Sequence, residues 1–135
     1  MPEDLRLTAA DAVRLAQELI DDGRPFHAHE VLEAAWKSSP GGERALWKGL
    51  AQIAVGLTHA RRGNGRGAVV LLRRGAAAVA VYAESVAGTD LAREPGPAGL
   101  DLAAVTAGAA GLADVIAARG LEAVPPADLR VDLTG

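Results

Sequence analysis

Residues 43–63 read ERALWKGLAQIAVGLTHARRG, and the arrangement of the other helices follows from this segment. Apolar side chains occupy nearly every face of the helix that it would form, so it predicts a long helix buried at the centre of the protein. Gly49 and Gly56 lie seven residues apart, and therefore almost in line along that helix. Because a glycine inside a helix costs about 1 kcal/mol relative to alanine, the pair predicts that a neighbouring backbone packs closely against this line.

Capping and turn residues on either side of the central helix mark the ends of four further helices. Thr8 has the chemistry of an N-cap, and Pro25 suits the first turn of a helix. Glycine-rich turns precede and follow the central helix. The further helices are predicted at about residues 8–22, 25–37, 66–86 and 99–119, with a short helical turn at 90–93.

The predicted fold is all-α, a single-domain antiparallel bundle of four to five helices with a long, nearly all-apolar third helix. The domain spans residues 1–135, and its helical core covers about 8–120. The tail at 121–135 contains Pro125-Pro126, which predicts an extended or irregular segment. Because only 3% of the residues are aromatic, alanine, valine and leucine must build the core.

Composition restricts both the function and the location. The net charge of −3 offers no basic excess to neutralise phosphates, so nucleic-acid binding is not favoured. The absence of cysteine excludes disulfides, thiolate metal sites and cysteine nucleophiles. The N-terminus lacks the apolar core of a signal peptide, and arginine pairs at 61–62 and 73–74 interrupt the apolar runs. We therefore expect no membrane-spanning segment and a cytoplasmic location.

Most of the polar chemistry falls within residues 26–36, which read FHAHEVLEAAW. His29 and Glu33 are an i,i+4 pair on one face of the predicted second helix, and Glu30 lies beside them. With His59 from the central helix, His29 and Glu33 would supply three ligands to a divalent metal ion. Glu30 would then be a candidate general base, and the protein a metal-binding protein or metal-dependent hydrolase.

The alternative for the same cluster is a hydrogen-bonded clamp between two helices. In this interpretation His29 and Gln52 form hydrogen bonds to each other or to nearby backbone, and Glu33 pairs with Lys37. Trp36 completes the candidate polar site as a packing residue at its boundary. The sequence favours the clamp, because neither an H-E-x-x-H pair nor a repeated E-x-x-H pair is present.

The turn at 61–67 is a second candidate site, for an anion. Its glycines and the residues Arg62, Asn64, Gly65 and Arg66 would surround a phosphate or nucleotide at the start of the fourth helix. The turn lacks the lysine and hydroxyl of a phosphate-binding loop and follows no strand. A tight turn between two helices is the preferred interpretation.

Three ordered blocks resemble a bacterial and archaeal family known only as a domain of unknown function. They are F-x-A-H-E-x-L-E-x-x-W at 26–36, G-L-x-Q-x-A at 49–54, and R-G-N-x-x-G-A at 62–68. The chain departs from the family pattern at His27, where an acidic residue is common, and at Lys48, where an uncharged polar residue is common. The resemblance implies an all-helical bundle of similar size and assigns no biochemical activity.

The sequence as a whole favours an uncharacterised, non-enzymatic binding or assembly module, because no complete catalytic set is evident. A homodimer is the expected assembly, since alanine- and glycine-rich helical faces can pair across a two-fold axis. No cofactor is required by the sequence, and a divalent metal is the one candidate. A small-molecule ligand is not identified.

Overall fold

The computed structural model describes residues 8–39, 41–89 and 96–135. Within these ranges the chain forms five α-helices and no strand, which confirms the all-α prediction. The predicted turn at 90–93 lies outside the described residues. The helices are α1 (Ala9–Asp21), α2 (Pro25–Ser38), α3 (Arg44–Arg61), α4 (Gly65–Val86) and α5 (Leu102–Arg119). Short 3-10 turns lie at Gly41–Glu43, Pro97–Gly99, Leu121–Ala123 and Pro126–Asp128.

Helix α3 lies at the centre of the bundle and packs against both α2 and α4. This position follows from its sequence, because a helix that is apolar nearly all round must be covered on several sides. Consecutive helices contact each other from α1 to α5, and their short connections make neighbours antiparallel. The largest fully buried side chains of α3 are Leu46, Trp47, Leu50, Ile53 and Leu57.

Glycines bring α3 and α4 into close contact, as Gly49 and Gly56 predict. A Cβ atom at Gly49 would lie 2.8 Å from Cβ of Ala78, and one at Gly56 would lie 3.0 Å from Cγ of Leu72. On the α4 side, a Cβ atom at Gly75 would lie 2.6 Å from the carbonyl oxygen of Gly49. Side chains larger than hydrogen would push the two helices apart at these points.

Polar side chains cap three of the helices and fix where they begin. Oγ1 of Thr8 accepts a hydrogen bond from the N–H of Asp11 at 3.0 Å, which confirms the predicted N-cap of α1. Oδ1 of Asn64 accepts from the N–H of Gly67 at 2.9 Å and caps α4. Oδ1 of Asp101 caps α5 at 3.0 Å.

The C-terminal tail, residues 121–135, closes the bundle between α1 and α5. Nε2 of Gln17 donates to the carbonyl oxygen of Val131 at 3.2 Å, and its Oε1 accepts from the N–H of Leu133 at 2.7 Å. The N–H of Asp101 donates to the carbonyl oxygen of Leu133 at 2.8 Å. The sequence predicted an irregular tail but did not predict that this tail packs against the helices. Its buried side chains are Val124, Leu129, Val131 and Leu133.

Helix α5 corrects the expectation that no apolar run is long enough to cross a membrane. Among the described residues, the segment Pro97–Arg119 is the one helix that is long and apolar enough to span a membrane, judged by length and composition alone. Only 33% of the residues in its most apolar window are buried within the chain. The arginine pairs interrupt α3 and α4 but leave α5 untouched. Its inward face is formed by Val105, Ala109, Ala113 and Ile116.

Candidate functional site

The two aromatic residues at the ends of the 26–36 stretch each lie close to a cation from the α3 side. Cζ of Arg62 lies 5.8 Å from the centre of the Phe26 ring. Nζ of Lys48 lies 5.9 Å from the centre of the Trp36 ring. Both distances allow cation–π attraction. Because α2 and α3 are antiparallel, the two contacts lie at opposite ends of the contact between these helices, and the half-buried Trp36 is part of that contact.

The two ring nitrogens of His29 have different surroundings. Nε2 lies 3.9 Å from Oε2 of Glu33, whereas Nδ1 is buried and has no hydrogen-bond partner among the described residues. The ring of Phe26 lies against the imidazole, with 5.8 Å between ring centres. The predicted hydrogen bond from His29 to Gln52 is therefore wrong, and Glu33 approaches His29 instead of Lys37. Two cation–π contacts, at Phe26 and Trp36, join α2 to the α3 side.

The structure does not bring the three predicted metal ligands together. His29 and Glu33 are neighbours, but His59 lies at the end of α3, where its Nδ1 is 3.1 Å from Nδ2 of Asn64. Glu30 is exposed to solvent. Within the described ranges, no group of three or more histidine, aspartate or glutamate side chains could hold a metal ion. The metal interpretation therefore lacks its third ligand.

The turn between α3 and α4 uses its polar and glycine residues for its own structure. Oδ1 of Asn64 already accepts the N–H of Gly67, so this donor is not free for a phosphate. Gly63 has a backbone φ of +82°, a value that residues other than glycine rarely adopt. A Cβ atom at Gly65 would lie 3.3 Å from Cγ of Leu121, so α4 begins tightly packed on the chain after α5. These contacts favour the interhelical turn over the phosphate cradle.

Four arginines belong to the segments at one end of the bundle, where α3 ends and α2 and α4 begin. Nη2 of Arg61 donates to the carbonyl oxygen of Pro126 at 3.1 Å. The same guanidinium packs over the α1–α2 turn, since a Cβ atom at Gly23 would lie 3.2 Å from its Cζ. Sequence reasoning missed Arg24, because its position depends on how that turn meets α3. The arginine end is defined here as Arg24, Arg61, Arg62 and Arg66.

A separate polar contact lies at the start of α3. Nε1 of the buried Trp47 donates to Oε1 of Glu43 at 3.2 Å. Burial raises the pKa of Tyr82, and the negative charge of Glu43 raises it further. Trp47 itself is a buried core residue, as its place in the apolar stretch indicates.

A surface groove of about 420 Å³ lies between the start of α4 and the end of α5. Its lining is mainly apolar and brings no acid–base pair or nucleophile together. It therefore does not have the composition of a catalytic cleft. The lining residues are Gly65, Arg66, Val69, Val70, Ile116, Ala117, Gly120 and Leu121.

Comparison with known proteins agrees with the resemblance drawn from the three sequence blocks. Residues 13–71 match the family described as Domain of unknown function (DUF309). The DUF309 match runs from α1 into α4 and includes the positions of all three blocks.

Part of the chain is similar in sequence to a bacterial protein. Over 48 residues the chain is 46% identical to "Uncharacterized protein YpuF" of Bacillus subtilis (strain 168). This alignment covers 35% of the chain and 28% of that protein, so the chain matches little more than a quarter of its relative. No solved structure matches the chain. The matched family and this relative are both uncharacterised, and neither assigns an enzymatic activity or a metal.

Proposed function

We propose that the protein is a non-enzymatic assembly module that pairs with a second copy of itself through the outer faces of α4 and α5. The observation that carries this proposal is the exposure of α5. Its sequence is apolar enough for a membrane, yet only 33% of its most apolar window is buried within the chain. An apolar surface of this extent is expected to be covered. The exposed positions of α5 include Ala103, Ala107, Gly111 and Ala118.

Helix α4 continues the same apolar surface. Val70 is 47% exposed and Val81 is 62% exposed. At 100° per residue both lie within about 40° of Ala77, so the three form one stripe along the outside of α4. An ion pair of 3.0 Å from Arg73 to Asp114 joins α4 to α5 at this surface.

The second copy is the favoured occupant because the outer face of α4 complements itself in one register. Arg74 lies five residues before Val79 and Glu84 lies five residues after it. A two-fold axis perpendicular to α4 at the level of Val79 would place Arg74 opposite Glu84 of the second copy. The same axis would place Ala77 opposite Val81, so one register matches both charge and apolar area. Within the described chain, neither Arg74 nor Glu84 forms an ion pair.

The available area is sufficient for a dimer. Helix α4 has 22 residues, which corresponds to a length of about 33 Å. Two neighbouring helices, each about 10 Å across, present a face of roughly 650 Å² on each copy. The buried total of roughly 1,300 Å² exceeds the 1,000 Å² or so that a specific interface needs. Alanine and glycine on α5 allow the two copies to approach closely.

Lipid is a less suitable cover for α5 than a second copy. Its inward residues Val105, Ala109 and Ile116 are buried in the bundle, so a spanning α5 would have to leave the core. Its small side chains would also gain little from hydrocarbon compared with leucine or phenylalanine. The proposal therefore places the dimer in the cytoplasm.

Sedimentation velocity over a range of protein concentrations tests the proposal. The wild-type chain is expected to show a concentration-dependent dimer. Val81→Glu and Arg74→Glu should each weaken it, by about tenfold or more for a buried charge or a like-charge contact. Arg74→Glu combined with Glu84→Arg should restore it, because the swap recreates the pair with reversed sign.

The matched control is Ala34→Glu, which adds the same charge to an exposed position on α2. This variant should dimerise like the wild type. A chain that stays monomeric at the highest concentration would reject the assembly proposal. A dimer that Ala34→Glu weakens as much as Val81→Glu, or that the charge swap fails to restore, would place the interface elsewhere.

A further inference from the structure

The arginine end carries positive charge that is not paired with a carboxylate in the described part of the chain. In the described ranges, ion pairs to carboxylates are formed by Arg14, Arg73 and Arg130 and by none of the four arginines of this end. The carboxylate of Asp21, at the end of α1, is instead bonded to Arg130 at 2.8 Å. The four guanidinium groups of this end thus have no carboxylate partner in the described part of the chain.

Helix capping explains only part of this cluster. Arg61 and Arg62 follow the favourable rule, because a cation at the C-terminal end of a helix complements its dipole. Arg24 and Arg66 do the opposite, since they lie at the N-terminal ends of α2 and α4. The N-cap position of α2 also has no side-chain hydrogen bond. Positive charge therefore remains at two helix starts that would favour an anion.

The arrangement fits an extended partner better than a single anion. The guanidinium of Arg61 lies over Gly23 and bonds to Pro126, whereas that of Arg62 lies over Phe26. Neighbouring arginines thus point to different elements and do not converge on one point. Several carboxylates spaced along an extended segment would each contact a different arginine.

A peptide fits this surface better than a nucleic acid. The ring of Phe26 is 45% exposed, so it offers apolar contact to a partner. Arg62 lies over this ring and His29 lies tilted against it, which leaves little room for base stacking.

We propose that the arginine end binds an acidic protein segment that carries an apolar side chain for Phe26. Its carboxylates contact Arg24, Arg62 and Arg66, and the apolar side chain covers the exposed edge of Phe26. Arg24, Arg61 and Arg62 lie outside the outer faces of α4 and α5 that the dimer uses, whereas Arg66 lies at the end of that face, one turn before Val70.

Fluorescence anisotropy with a labelled peptide of alternating glutamate and leucine tests the inference on the full chain. Binding is expected at low salt and should weaken as salt rises, because exposed charges are screened. Arg62→Glu and Arg66→Glu should each weaken binding about tenfold or more. The control is Arg44→Glu, which makes the same change at the start of α3, at the opposite end of the bundle.

The charge reversals also separate binding from folding. Arg66→Glu and Arg44→Glu both place an acid at a helix start, so both should raise the melting temperature by about 1–4 °C. Only Arg66→Glu should lose the peptide. Absence of binding at low salt, or an equal loss in Arg44→Glu, would overturn the inference. Tighter binding of single-stranded oligothymidylate, or displacement of the peptide by equally dilute inorganic phosphate, would overturn the choice of partner.

Discussion

Gly75 shows how one residue controls the distance between the two central helices. A Cβ atom there would lie 2.6 Å from the carbonyl oxygen of Gly49 and 2.6 Å from Cγ1 of Ile53. Gly75→Ala should therefore lower the free energy of unfolding by about 1–3 kcal/mol, measured by urea unfolding. Gly108→Ala is the control, because its added methyl group would meet only Cγ1 of Val131, at an ordinary contact distance of 3.5 Å. The free energy of unfolding of that variant should rise by about 0.5–1 kcal/mol. Equal effects at both sites would contradict the close packing of α3 and α4 at Gly75.

His29 is the residue of the candidate site whose role differs most from the sequence prediction. Its Nδ1 is buried without a hydrogen-bond partner in the described chain. This unsatisfied polar atom lowers stability, and leucine, which has a similar size, would remove it. His29→Leu should leave stability unchanged or raise it by about 1 kcal/mol in urea unfolding. A clamp or metal ligand would give the opposite result. A large loss of stability, or loss of a metal-induced rise in melting temperature, would restore those interpretations.

Tyr82 links stability to high pH. Burial first, and Glu43 second, raise its pKa above the ordinary value of about 10. Above about pH 10 the unfolded chain therefore loses this proton before the folded chain does, and stability falls as the pH rises towards the folded pKa. Urea midpoints from about pH 8 to about pH 11 should decline less in Tyr82→Phe than in the wild type. The assignment is direct because the chain has one tyrosine, and equal declines would contradict the shift.

At the scale of elements, the C-terminal tail depends on single buried side chains. Leu133 is 1% exposed, and its backbone bonds both to Gln17 and to Asp101. Leu133→Ala should cost about 2–5 kcal/mol in urea unfolding, because the cavity would lie between α1 and α5. The adjacent exposed Thr134 supplies the control, and Thr134→Ala should change stability by less than about 0.5 kcal/mol. A tail that merely rests on the surface would give similar small effects at both residues.

The elements also show which parts of the fold the sequence could predict. The central place of α3 follows from its apolar pattern, and the cap at Thr8 follows from local chemistry. The tail could not be predicted, because its hydrogen bond from Leu133 to Gln17 joins residues 116 positions apart. The same limit applies to the candidate site. The neighbours His29 and Glu33 follow from helix spacing, but whether Gln52 and His59 reach them depends on how two helices pack.

At the scale of the whole molecule, the proposed two-fold axis fixes where the two arginine ends lie. The axis crosses α4 at the level of Val79, and Arg66 lies thirteen residues before it. At 1.5 Å per residue the two copies of Arg66 would be about 39 Å apart along the dimer. The two arginine ends would therefore face opposite directions, and each would bind its acidic segment independently.

This geometry predicts how a bivalent peptide should behave. Two acidic segments joined by about ten glycine and serine residues reach at most about 35 Å and cannot engage both ends. A linker of about fifty such residues has a mean span near 39 Å and should raise the apparent affinity about a hundredfold. Calorimetry should show this gain for the wild type and lose it in Val81→Glu, which keeps its arginines but not its partner copy. An equal gain with the short linker would place the two ends side by side and reject the antiparallel dimer while leaving peptide binding intact.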